Sequence, residues 1–123
     1  MQTTLHRGFA GLILALALLA ATATAALACN KNFVVYNRTD KMMTQFFVSP
    51  YQSDNWEDNV LRADIDPDTH TRVDMSDDTR EYSLYDVKAV FEDGTKTTGY
   101  KINLCRAQAV YIYSDRVTYS DGE

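Results

Sequence analysis

The sequence predicts an all-β domain: a small antiparallel β-sandwich of about six strands with one short helical turn, following a signal-peptide helix. Three observations predict it. Short runs rich in β-branched and aromatic residues recur along the chain, turn residues separate them, and one pair of runs alternates cleanly around an Asp-Gly turn.

The first 28 residues have the three-part layout of a secretory leader. Arg7 precedes an apolar run from Leu12 to Leu19, and Ala26-Leu27-Ala28 places small residues three and one before a cut that would expose Cys29. A cut after Ala25, using Ala23 and Ala25, is the other option. The Leu-rich run falls short of the ~20 apolar residues a membrane span needs. A cleaved leader is therefore expected, with residues 29–113 as the sandwich and 114–123 as a polar, frayed tail. After cleavage about 95 residues remain, with no second long apolar stretch and so no expected membrane span.

Phe33 to Tyr36 reads as the first strand, ended by Asn37-Arg38-Thr39-Asp40. Met42 to Val48 is the second. Its apolar residues break alternation near Thr44-Gln45, which predicts a bulge, and Ser49-Pro50 stops it. Asp54-Asn55-Trp56-Glu57 has the spacing of a capping box before Val60 and Leu61, so a single helical turn is expected there. Arg72 to Met75 is a short third strand. Tyr85, Val87, Ala89 and Phe91 then share one face, while Asp86, Lys88 and Glu92 point away. Asp93-Gly94 turns the chain. The return strand reads Tyr100, Ile102 and Leu104 in phase, and Ala109 to Tyr113 is the last run.

Full-chain charge is −5, and removing the leader, which carries Arg7, makes it more negative. Between Asp54 and Asp86 lie eleven acidic residues against three arginines. An electrostatic nucleic-acid surface is not expected from such a chain.

Two cysteines allow two readings. In an oxidising compartment Cys29 and Cys105 form one disulfide, closing a long loop worth about 4 kcal/mol. Alternatively Cys29 is a lipidated first residue, although Ala26 stands where a lipoprotein signal prefers Leu. The disulfide is the favoured reading.

The order of several motifs, each weak alone, carries a resemblance. Asn37-x-Thr39, Ser49-Pro50, Trp56 with Asn59 and Leu61, Tyr85-Asp86, Asp93-Gly94 and Asn103-Leu104-Cys105 follow one another along most of the mature chain. In this the chain resembles small periplasmic or secreted β-sandwich proteins of Gram-negative bacteria, of unknown function. It departs from them at Glu57, where they tend to have Gly, and near Ser83, where they tend to have a cysteine. The resemblance thereby leaves Cys29 as the partner of Cys105. Some of those proteins carry an argininosuccinate lyase label, an activity of much larger helical enzymes that is not expected here.

Candidate sites are few. Asp54, Asp58, Asp64, Asp66 and Asp68 offer oxygen ligands for a weak Ca2+ site at one end of the sandwich, though the EF-hand pattern fails at Thr69 and Met75. The plainer reading is a solvated acidic loop. His70, the one histidine after the leader, is expected in a loop, and no nucleophile motif accompanies it. Tyr51, Trp56, Tyr111 and Tyr113 are the candidate binding surface, because such rings pack on one side and reach water on the other. The expected function is that of an exported, non-catalytic domain, a monomer that binds a protein or envelope component in the periplasm or outside the cell. A calcium-stabilised module is the second expectation and a small hydrolase the third.

Overall fold

The computed structural model describes residues 29–121; the signal peptide expected over residues 1–28 lies outside the described residues. Seven strands form two sheets: β1 (Phe33–Asn37), β2 (Met43–Pro50), β3 (His70–Val73), β4 (Leu84–Phe91), β5 (Lys96–Asn103), β6 (Ala109–Ile112) and β7 (Val117–Ser120). One sheet runs β3-β1-β6-β7 and the other β2-β4-β5. Among the described residues there is no helix, and so none long and apolar enough to cross a membrane.

Alternation places the core between the sheets. Phe33, Val35, Val110 and Ile112 face inward from the first sheet, and Phe46, Val48, Tyr85, Val87, Ala89 and Phe91 from the second. Phe33 and Phe46 meet across the gap, with ring centroids 6.2 Å apart. The expected bulge in β2 is present, as a register shift between Met43 and Gln45. The β4–β5 hairpin turns at Gly94, whose φ of 84° glycine adopts without a Cβ penalty.

Four expectations are corrected. The pairing is mixed rather than purely antiparallel, because β1 and β6 run parallel. More than seventy residues separate these strands, and the chain visits the other sheet between them, so no tight turn dictates their direction. The predicted helical turn at Asp54–Glu57 does not form. Instead Asn55 Oδ1 accepts the Glu57 N–H at 3.1 Å, and Glu57 takes a left-handed φ of 64° that ends any helix. The segment 114–123, expected as a frayed tail, contains β7, which pairs with β6 through Val110↔Tyr119 and Ile112↔Val117. Tyr100, expected in phase with Ile102, is the most exposed large hydrophobic side chain among the described residues, at 67%. Tyr100 and Lys101 together oppose Asp86 at a bulge, and Lys101 has φ 59°, so the strand changes phase there.

The loop after β2 explains the Trp56 segment. β2 would otherwise present a bare edge. Val60 N–H bonds Phe46 O, Asn59 Oδ1 accepts the Phe46 N–H at 2.9 Å, and Ile65 exchanges both backbone bonds with Met43. The loop is thus a cover for the edge. Asn37, fully buried, pins its far end: Nδ2 donates to Lys41 O and Ile65 O while Oδ1 accepts from Thr39.

The sheets close against each other where β5 meets β7. A Cβ on Gly99 would lie 2.6 Å from the Val117 Cβ, so only glycine lets these strands approach so closely. Gly99→Ala is expected to cost about 1–3 kcal/mol in chemical denaturation, the usual penalty of overpacking. Val117→Ala in the same chain should recover part of it. A Gly99→Ala chain as stable as the parent would show that β7 is free to move away.

A polar network fastens the opposite region. The Lys31 ammonium is buried (4% exposed); it donates to Tyr85 Oη at 2.8 Å and to Arg80 O, and lies 3.7 Å from Asp78. Tyr85 Oη donates to Asp78 Oδ2, and Arg80 bridges Asp78 and Glu57. Every buried side-chain polar atom among the described residues has a partner. Nearby, Cys29 and Cys105 are disulfide-bonded, with Cα atoms 5.3 Å apart, so Cys29 has no thiol left for a lipid.

Candidate functional site

The outer face of the β2-β4-β5 sheet carries the most site-like arrangement. Pro50 O accepts the Ser53 N–H, making a tight turn in which Gln52 takes φ 64°. This turn folds back over Asp86, which stands at the bulge of β4. Asp86 does leave the core face, as alternation requires, yet it is only 4% exposed. Its Oδ2 accepts the Gln52 N–H at 3.1 Å and its Oδ1 the Lys101 N–H at 2.9 Å. One carboxylate therefore clamps two left-handed residues from separate segments.

Around this clamp Tyr51, Trp56 and Tyr100 border an open cleft of about 430 Å3, with Gln52, Ser53, Asp54 and Asp86 as its polar lining. Lys88, from the middle of β4, lies 4.9 Å from the Trp56 ring and 4.8 Å from the Phe47 ring. A cation over a ring face at this distance holds the indole against the sheet. Among the described residues, three of the four non-glycine residues with positive φ, namely Gln52, Glu57 and Lys101, adjoin the three aromatic residues in sequence. Each costs roughly 1–2 kcal/mol relative to ordinary backbone. Such conformations persist only where surrounding bonds impose them, as Asp86 does for two and the Arg80–Glu57 pair for the third. The backbone beside each of the three rings is thus held by hydrogen bonds or an ion pair.

The four aromatic residues expected at the surface do not converge. Tyr51 and Trp56 share the cleft, whereas Tyr111 lies on the outer face of the other sheet, stacked on Tyr36 at 5.0 Å. Tyr36 also meets His70 at 4.9 Å, and Arg38 lies over Tyr36 and Tyr111 at 5.1 and 5.8 Å. His70, expected in a loop, opens β3 and ends this ladder of rings. Tyr113 packs under Arg116 at 4.1 Å in the β6–β7 hairpin.

The five aspartates are similarly dispersed. Asp54 borders the aromatic cleft, Asp58 a second cleft, and Asp64 and Asp66 a third. Asp68 pairs with Arg38 at 3.0 Å. Among the described residues no three His, Cys, Asp or Glu side chains are grouped to hold a metal ion.

Sequence reasoning missed Tyr100, Gln52 and Asp86. The bulge that exposes Tyr100 and buries Asp86 depends on a left-handed Lys101, and no glycine marks the position. A carboxylate inside a strand, next to Tyr85, was the available signal.

No protein-family model matches the chain, and no curated protein matches it. Among solved structures, the NMR structure of a protein from Eubacterium rectale superposes with a TM-score of 0.54 at 15% identity, covering 76% of this chain and 91% of that one. At this identity the likeness concerns the fold alone.

Proposed function

We propose that this chain is an exported, non-catalytic binding domain whose Tyr51–Trp56–Tyr100 cleft engages a protein or envelope component outside the cytoplasm. The observation that carries the reading is the clamp at Asp86, which fixes the backbone beside Tyr51 and Tyr100, from separate segments, around a cleft that Trp56 completes. Preorganised aromatic rings give contact area at little entropic cost, which suits a recognition surface. The buried carboxylate spends both oxygens on backbone N–H groups, and His70 stands on the other sheet, so neither is placed to move a proton for a ligand in the cleft. Export is supported by the leader pattern and by a disulfide that an oxidising compartment maintains.

The test is capture from envelope extract by the immobilised mature domain. Trp56→Ala and Tyr100→Ala are expected to weaken retention of the principal partner by about thirtyfold or more, the effect of losing a central aromatic anchor. Both variants should melt close to the parent. Undiminished capture by both folded variants would refute the assignment of the cleft.

A further inference from the structure

On the side away from the β5–β7 seam the two sheets part, and β3 is left with β1 as its one neighbour. The bonding pattern shows which of its backbone groups are unpaired. Val34 and Arg38 donate toward the β6 side, to Gln108 O and Ile112 O, while Asn37 donates to Thr69 O. Alternate residues of β1 therefore serve opposite neighbours, and Thr71 and Val73 turn their N–H and C=O groups to β1. Those of His70 and Arg72 point to the open edge.

Along that edge run two clefts of about 540 and 550 Å3, which meet at Val60 and Asp74. Half-buried Val60, Leu61 and Met75, each packed against the core, supply the apolar middle. Carboxylates gather beyond the finish of β3, where Asp58, Asp74 and Asp77 stand beside an Arg80 already paired with Glu57 and Asp78, whereas Arg62 and Arg72 offset Asp64 and Asp66 at its start. A second copy of this chain fits poorly, because pairing β3 with itself would bring the Arg72 side chains of both copies onto one face of the new ladder.

We propose that β3 accepts an extended segment of a partner protein as an added strand. The segment has apolar side chains at alternate positions over Val60, Leu61 and Met75, and Lys or Arg at the end that faces Asp58, Asp74 and Asp77. Main-chain bonds to His70 and Arg72 would supply affinity, and the apolar middle and the acidic end beyond β3 would supply selectivity. This surface is independent of the aromatic cleft.

The probe is the capped peptide Lys-Val-Thr-Val-Thr-Val-Lys, titrated into the disulfide-bonded chain and followed by amide hydrogen exchange. Binding is expected to slow exchange at the amides of His70 and Arg72, and replacing both probe lysines by glutamate should weaken binding about tenfold or more. Arg72→Pro removes an edge donor while sparing the bonds of Thr71 and Val73 to β1, since proline is tolerated where its missing N–H faces outward. It should weaken the peptide about tenfold or more, whereas Trp56→Ala should leave its binding unchanged. Unaltered exchange at His70 and Arg72 under millimolar peptide would overturn the proposal, and so would equal affinity for the glutamate peptide. Should Arg72→Pro fail to fold, the exchange measurement on the parent chain decides alone.

Discussion

Replacing Cys29 and Cys105 together by serine is expected to lower unfolding free energy by about 4 kcal/mol. The two residues are 76 apart in sequence, so the bond removes a large loop from the unfolded ensemble. Its position adds to the effect. Cys29 leads into β1 and Cys105 lies in the crossover to β6, and these are the strands that pair in parallel without a turn of their own. For a domain of this size the loss corresponds to a fall in melting temperature of about 15–30 °C, which calorimetry reads directly. A fall of only a few degrees would mean that the parallel pair holds its register without the cross-link.

Asp78→Ala is expected to cost about 3–5 kcal/mol, because it leaves the buried Lys31 ammonium without its carboxylate. The side chains of Lys31 and Asp78 are 3% and 8% exposed, so water cannot take over the lost contact. Tyr85 loses its acceptor at the same time. Adding Lys31→Met should restore part of the stability, and the double-mutant cycle in denaturant measures the coupling. If Lys31→Met brings no recovery, the ammonium is not what the carboxylate compensates.

The same network sets two pH limits. The Arg80 guanidinium beside Asp78 holds its carboxyl well below the ordinary 3.8, with Tyr85 adding a second hydrogen bond. A depressed carboxyl contributes stability that is present above the ordinary value and lost as pH falls through the folded one. Burial, helped by the bond to Asp78, pushes the Tyr85 hydroxyl well above its ordinary 10.0. That contribution is complete below pH 10.0 and fades as pH rises toward the folded value, because the unfolded tyrosine releases its proton first. Tyr85→Phe should flatten the alkaline limb of a stability–pH curve.

Particular residues show where sequence reasoning reached and where it stopped. Tyr85, Val87, Ala89 and Phe91 were legible as an inward face because alternation is a local property, repeated over seven residues and closed by an Asp-Gly turn. Val117 was not legible, since a four-residue strand among polar residues takes its identity from Gly99 on the facing sheet. Glu57 misled in the other direction: a capping-box spacing exists, but Asn55 and Arg80 compete for the same atoms and win. Of the three rings that border the cleft, Tyr51 and Trp56 were named from the sequence, and Tyr100 was assigned to the wrong face.

By itself the sequence determined the all-β class, the hairpin, the alternating core, the β2 bulge and the pair of cysteines available to be joined. Each of these is encoded by neighbours within a few residues, or by there being only one possible partner. Tertiary structure alone decided the parallel β1–β6 pairing, the seventh strand, the clamp at Asp86 and the division of the tyrosines between two faces. Those features depend on which distant backbone N–H groups and side chains come to share a space, and no local pattern in the chain records that.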